Sequence, residues 1–258
     1  MNPAIITLSG HGAAIAQSLL TTFPQATIFV HQSVANRHGE SQFASILDLT
    51  QSIFHSHHPL IFIAPCGVVV RAIAPMIDHK LRDPAVVVVD TGARWAISLL
   101  SGHEGGANHV ALAVSNALHA EPVITTTTEA DKSLIIGIGC RRGTSAASIM
   151  AAIHHALTLT QSSINHVRYV ASAEIKSTEP GLLDACATLN LPIRFIAHEA
   201  IRACSRNFTH SSFVHQQVSL PAVAEPTALL AGTRTSCILK KTIIHGITIS
   251  IAKENSWS

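Results

Sequence analysis

Ile97-Ser98-Leu99-Leu100-Ser101-Gly102-His103-Glu104-Gly105-Gly106-Ala107-Asn108 is a strand that stops in a glycine-rich turn and restarts as a helix. The apolar run ends at Ser101-Gly102-His103, two glycines follow, and apolar residues then recur at helical spacing over 107–118. Glycines at such a turn let a ligand approach the backbone, and a helix start aims N–H groups that favour anions. Ser101, His103, Glu104 and Asn108 surround the same point with polar groups. The plainer reading is a capped helix, with Ser101 or His103 ordering the turn.

Working outward, the same alternation of strand and helix recurs. Residues 4–8, 26–30, 60–64, 85–89, 96–99 and 123–125 read as strands. Gly10-His11-Gly12 turns into a helix ending near Phe23, residues 42–54 show helical spacing, and Cys66-Gly67 opens a short helix before Pro75. Continuous Val and Ile runs suit strands buried on both faces, so the expected sheet is open and mostly parallel, with helices on both faces. A second unit starts after Asp131-Lys132: a strand over 134–138, a helix over 144–157 capped by Thr144, and an α/β pattern continuing to residue 252. The expectation is two α/β units, residues 1–131 and 132–258. Residues 203–221, rich in Ser, His and Gln, read as a loop. Gly10-x-Gly12 hints at a dinucleotide fingerprint, but Ile15 stands where the third glycine belongs and no suitably placed acidic residue follows, so it reads as a tight turn.

Composition narrows the function classes. Of 258 residues 47% are hydrophobic and 12% charged, ample for packed cores. Five widely spaced cysteines without a Cys-x-x-Cys pair indicate neither a zinc site nor a disulfide framework, which suits a reducing cytoplasm. No basic segment precedes an apolar N-terminal run, so the start reads as a strand and not a signal peptide. The longest apolar run, residues 60–70, is too short for a bilayer. Charge is uneven: residues 1–132 carry 6 Lys and Arg against 9 Asp and Glu, and residues 133–258 carry 11 against 6. A basic second half suits an anionic ligand. Without a dense Lys/Arg run or stacking aromatics, nucleic acid is not expected. The seventeen histidines include the pairs His57-His58 and His154-His155 but no ligand set, so they read as surface residues and no metal site is expected.

Longer stretches carry a family resemblance. Phe62-Ile63-Ala64-Pro65-Cys66-Gly67-Val68-Val69-Val70-Arg71, then Asp83-Pro84-Ala85-Val86, the SLLSGHEGGAN run from Ser98 to Asn108, and Thr125-Thr126-Thr127-Thr128-Glu129 follow one another. In this order they resemble the N-terminal domain of the CbiG family, the cobalt-precorrin-5A hydrolases of anaerobic cobalamin synthesis. Gly137-Ile138-Gly139-Cys140-Arg141-Arg142-Gly143-Thr144, Ala173-Glu174-Ile175-Lys176, Glu179-Pro180-Gly181-Leu182 and the closing His245-Gly246-Ile247-Thr248 resemble its C-terminal domain. The chain departs from the family pattern at Cys66, where Thr is more usual, at Glu129, where Asp is usual, and in lacking the middle domain.

The resemblance implies a hydrolase that opens the ring A lactone of a cobalt corrinoid, expels acetaldehyde and yields cobalt-precorrin-5B. The cobalt arrives inside the substrate, so no separate cofactor is implied. The resemblance also admits other enzymes of the pathway as partners. Water must be directed at the lactone carbonyl and an oxyanion stabilised. His103 is the candidate base, with Glu129 or Glu104 as alternatives; Ser101 as nucleophile is weaker, because no Gly-x-Ser-x-Gly elbow surrounds it. Backbone N–H groups of Gly105 and Gly106 are candidates for the oxyanion. Gly67, Arg71, Gly102, Asn108, Thr125, Thr126 and Thr127 are candidate substrate contacts, on the expectation that all three motifs fall at the C-terminal ends of parallel strands and so share one edge. In the second unit Arg141 and Arg142 beside a helix start make a carboxylate site, with Glu174 and Lys176 on a neighbouring extended segment. The missing middle domain motivates a rival reading, a corrinoid carrier without catalysis.

Overall fold

The structure is a computed structural model and describes residues 2–36, 38–205 and 222–255. From residue 206 onward the loop expected over 203–221 lies outside the described residues. The chain divides into two compact units, Met1–Thr126 and Thr127–Ser258.

The N-terminal unit is a seven-stranded sheet of β1 (Ala4–Thr7), β2 (Thr27–His31), β3 (Ser41–Phe43), β4 (Leu60–Ile63), β5 (Val86–Val89), β6 (Trp95–Leu100) and β7 (Glu121–Val123), in the order β3-β2-β1-β4-β5-β6-β7. Every residue of β1, β4 and β5 is buried, as strands covered on both faces must be. Alternation sends Ile5 and Ile6 to opposite sides. On one side α1 (Gly10–Leu19) and α4 (Ala107–Leu118) pack Ile15, Leu19 and Val114 against Ile5, Ile28 and Ile61. On the other, α2 (Ile46–Ile53) and α3 (Cys66–Ile73) pack Ile53, Val69 and Ile73 against Ile6, Phe62 and Val88. Each such side chain contributes roughly 1.5–3 kcal/mol by leaving water. The three-residue β3 overlaps the start of the stretch expected as helix, residues 42–54; Ser41 and Gln42 are exposed there, so no apolar alternation marks it.

One pairing overturns an expectation. β5 and β6 are antiparallel, whereas β1–β2, β2–β3, β1–β4, β4–β5 and β6–β7 are parallel. Only residues 90–94 separate β5 from β6, and a parallel return needs a crossover of about a dozen residues or more. Asp90 ties this turn: its carboxylate accepts the backbone N–H groups of Gly92, Arg94 and Trp95 and pairs with Arg94 Nε at 2.9 Å. β6 therefore ends beside the start of β5, with Leu100 opposite Val86. The turns after β6 and β7 lie at the edge opposite the one where β4 ends, so the three N-terminal motifs do not share an edge.

The C-terminal unit opens with the short helix α5 (Thr127–Ala130) and builds a five-stranded sheet from β8 (Leu134–Gly139), β9 (Val167–Ala173), β10 (Ile193–Ile196), β11 (Thr235–Ile244) and β12 (Ile247–Glu254), ordered β10-β9-β8-β12-β11. β10, β9 and β8 run parallel; β12 is antiparallel to β8, and β11 to β12. α6 (Ala146–Leu159) and α7 (Pro180–Thr188) bury Ile149, Ile153 and Leu182 against Ile136, Val170 and Ile249. α8 (His198–Arg202) follows β10, and α9 (Ala224–Leu230) lies on the other face. α9 approaches so closely that a Cβ on Gly137 would stand 1.8 Å from the Ala224 carbonyl oxygen. The cap of α6 is Ser145, whose hydroxyl accepts the Ser148 N–H. Thr144 instead donates its hydroxyl to the Arg141 carbonyl.

Candidate functional site

In the N-terminal unit the turn after β6 is closed upon itself. The Ser101 carbonyl accepts the Ala107 N–H at 3.1 Å and the Gly102 carbonyl accepts that of Asn108 at 3.0 Å. These helix-start donors are thus used by the turn rather than offered to an anion. Gly102 and Gly105 are packing positions: a Cβ would lie 2.8 Å from Asn108 Oδ1 at the first and 2.5 Å from Ser101 Cβ at the second. Gly106 has φ +81 and open space around it, so it is glycine for its backbone angle.

Buried Asn108 joins three segments. Its Oδ1 accepts Ser98 Oγ at 2.8 Å, and its Nδ2 donates to Thr126 Oγ1 at 3.0 Å. The Thr run is thereby fastened to the turn, while Thr125 stays exposed and Thr127 starts α5. Ser101 takes the left-handed φ of +55, and its buried Oγ has no hydrogen-bond partner among the described residues. A serine nucleophile needs a base on its hydroxyl, so this geometry does not activate Ser101.

The candidate bases differ in their engagement. Glu104 pairs with Lys80 at 2.9 Å, and that hydrogen bond first of all holds its carboxyl below the usual range. Glu129 pairs with Lys132 at 2.7 Å, both half-buried or less exposed. The His103 ring is exposed. Gly67 and Arg71 stand apart from this group, at the opposite sheet edge, where Arg71 Nη1 donates to the Gly67 carbonyl at 3.2 Å. The antiparallel β6 is the reason.

The C-terminal unit contains a cavity of about 860 Å³. It opens where β8 and β9 end and where the β11–β12 hairpin turns at Gly246, the usual ligand side of an open parallel sheet. Arg141 and Arg142 reach it from the loop after β8, Lys176 from the turn after β9, and Lys241 from β11; Glu179 and Glu225 are the carboxylates on its wall. The buried Glu179 carboxylate accepts Lys176 Nζ at 2.8 Å and the Gly143 N–H at 2.7 Å. The Lys176 bond foremost, then the Gly143 N–H, keep it ionised below the usual range. Gly181 completes the clamp, since a Cβ there would lie 1.9 Å from the Thr144 carbonyl oxygen. The arginine loop is thus hung on α7, and four cations face two carboxylates, a field that attracts anions.

Two neighbours of the cavity behave otherwise than a site group would. Glu174 turns away to His198, accepting its N–H at 3.0 Å and lying 3.4 Å from Nδ1. It sits in a 3-10 turn rather than an extended segment. Cys140 lines the wall, but burial pushes its thiol up, which disfavours a thiolate nucleophile. Lys241 and Glu225 escape a motif search because they come from β11 and α9, far along the chain from the arginine loop. Among the described residues no group of three or more His, Cys, Asp or Glu is arranged to hold a metal ion, and no helix is long and apolar enough to cross a membrane.

Comparison with known proteins places both units in one family. The profile described as cobalamin synthesis G N-terminal matches residues 48–129, and that described as cobalamin synthesis G C-terminus matches residues 134–252. A protein of Priestia megaterium named cobalt-precorrin-5A hydrolase is 25% identical over 352 aligned positions, covering 96% of this chain and 94% of its own length. One of the same name from Salmonella typhimurium is 23% identical over 319 positions, covering 88% of this chain and 91% of its own. Protein CobE of Sinorhizobium sp is 30% identical over 128 residues, covering 49% of this chain and 83% of its own. The alignment with the Priestia protein is longer than the 258 residues here, so that relative carries sequence with no counterpart in this chain. With adjoining profiles over most of its length and relatives matched nearly end to end, the chain belongs to the cobalamin synthesis G, or CbiG, family.

Proposed function

We propose that the chain is a hydrolase of cobalamin biosynthesis acting on cobalt-precorrin-5A, opening its ring A lactone and releasing acetaldehyde to give cobalt-precorrin-5B. The end-to-end match to two relatives of that name carries the reading. The cationic cavity supports it, because the macrocycle carries several carboxylates and Arg141 and Arg142 supply donors for them. His103 is the base that directs water at the lactone carbonyl: Glu104 and Glu129 are occupied by lysines, and Ser101 has no base of its own. The cobalt enters as part of the substrate, and the protein supplies binding and proton transfer. Five free thiols suit the cytoplasm, where other enzymes of the pathway would deliver substrate and take product.

The test is anaerobic incubation with cobalt-precorrin-5A and an assay of acetaldehyde. Stoichiometric release supports the hydrolase. A carrier is the second reading, favoured by one observation: the cavity is lined by the C-terminal unit alone, among the described residues. Tight binding without acetaldehyde would establish it.

A further inference from the structure

Two large apolar side chains stand exposed on the wall of the cationic cavity. Ile175 is 52% exposed and Ile243 68% exposed, and both line the cavity. Each comes paired with a cation that lines it too: Ile175 precedes Lys176 in the turn after β9, and Lys241 stands two residues before Ile243 on β11.

The β11 wall is shaped for this. β11 is the outer strand of its sheet. Its pairing with β12 is irregular between Cys237 and Leu239 and again between Leu239 and Thr242, each step placing one more residue on β11 than on its partner. Bulges of this kind re-aim side chains and recur beside functional sites. At and beyond the second one, Lys241 and Ile243 share one face, as residues two apart in a strand do. An isoleucine left in water on an edge strand is a liability for pairing with other chains. A ligand with an apolar body removes that liability, and Lys241 beside Ile243 favours an anionic rim.

We infer that Ile175–Lys176 and Lys241–Ile243 are two walls that together recognise a flat macrocycle with free carboxylates, the isoleucines covering ring surface and Lys241 taking a rim carboxylate. Lys241, Ile175 and Ile243 are then specificity-determining residues of the cavity. The inference rests on the corrinoid reading of the site and adds to it the parts of the ligand that each wall reads.

The experiment uses the full chain and two probes in equilibrium dialysis. Dicyanocobyrinic acid carries free carboxylates; its heptamethyl ester keeps the ring and loses those charges. The double variant Ile175→Ser/Ile243→Ser should bind both probes about tenfold more weakly, the loss expected when part of two aliphatic contacts is removed. Lys241→Gln should weaken the acid alone, by about three- to tenfold, and flatten its salt dependence. Lys241→Arg should restore both. The isoleucines are exposed, so an unchanged melting temperature verifies the fold. The walls are refuted if the parent does not bind the acid, if the double variant binds both probes like the parent, or if Lys241→Gln affects the ester as much as the acid. Acetaldehyde release from cobalt-precorrin-5A separates the two claims. A parent that shows the binding pattern yet releases none leaves the walls standing and overturns the hydrolase. A parent that releases it while the variants bind like the parent overturns the walls alone.

Discussion

After β6 the chain turns through Ser101 to Gly106 and folds back on its own helix; after β8 it turns through Cys140 to Thr144 and leaves a cavity. Both are strand, turn and helix, and both hold a glycine at positive φ, Gly106 at +81 and Gly143 at +74. They differ in where the close contacts fall. In the first, Gly102 and Gly105 sit against Asn108 and Ser101 inside the turn. In the second, the tight glycine is Gly181 on α7, and the turn hangs from it and from Glu179, with both arginines on the cavity side. A glycine-rich turn is therefore not in itself a ligand loop. What decides is whether the missing Cβ atoms make room for the protein or for something else.

The largest expected effect tests whether the closed turn still does chemistry. His103 is exposed and nothing in the core depends on it, so His103→Ala should fold normally. A general base contributes about 10²–10⁴-fold, and acetaldehyde release should fall by that factor with binding unchanged. Parental turnover by His103→Ala would take the chemistry away from this turn. Arg141→Ala and Arg142→Ala should come next, each costing roughly one to two decades of affinity for dicyanocobyrinic acid through a lost charge-assisted bond. If both bind like the parent at low and moderate salt, the open turn is not the carboxylate site.

Much of this contrast was legible in the chain and some was not. The Val and Ile runs of β4 and β5 announce doubly covered strands, and the basic second half points at an anionic ligand before any cavity is seen. The short link from Asp90 to Arg94 also announces an antiparallel β6, yet reading every motif as a parallel strand end put Gly67 and Arg71 with the wrong neighbours. β3 hides because Ser41 and Gln42 give no apolar alternation. Lys241, Ile243 and Glu225 were not legible, because bulges in β11 and the approach of α9 to Gly137 are tertiary facts without a local spacing. Asn108 stood out in the sequence, but its bond to Thr126 joins residues whose proximity only the β6–β7 pairing creates.

That bond gives the third prediction. Asn108→Ala removes a buried amide and leaves both of its partners, the Ser98 and Thr126 hydroxyls, without it, at a cost of about 1–3 kcal/mol. The melting temperature should drop by a few degrees, while affinity for dicyanocobyrinic acid stays parental. An affinity loss as large as that of the arginine variants would mean that the closed turn also holds the ligand, and the contrast between the units would fail.

The smallest effect is a difference in acid sensitivity. At Asn108 the closed turn is fastened by Ser98, Asn108 and Thr126, none of which titrates; its titrating pair, Glu104 with Lys80, lies on the exposed side of the turn. The open turn hangs on the Glu179 carboxylate, whose pKa lies below its ordinary 4.5, chiefly because Lys176 donates to it and further because Gly143 does. A carboxyl depressed by folding contributes its full stabilisation above the unfolded value, and loses it as the pH falls through the lower folded value. Acidification below about 4.5 should thus release the Gly143 N–H before the Asn108 N–H. Amide exchange at the two positions, corrected for the intrinsic pH dependence of exchange, measures this directly. Protection at Gly143 should decline with acid while that at Asn108 holds. Glu179→Gln should lower Gly143 protection at neutral pH and remove its dependence on acid, because an amide oxygen accepts the N–H but carries no charge for Lys176. Equal decline at both amides would show that the units loosen as one. Protection at Gly143 that ignores both acid and Glu179→Gln would show that Gly181, by its close contact with Thr144, holds the cavity loop without the carboxylate.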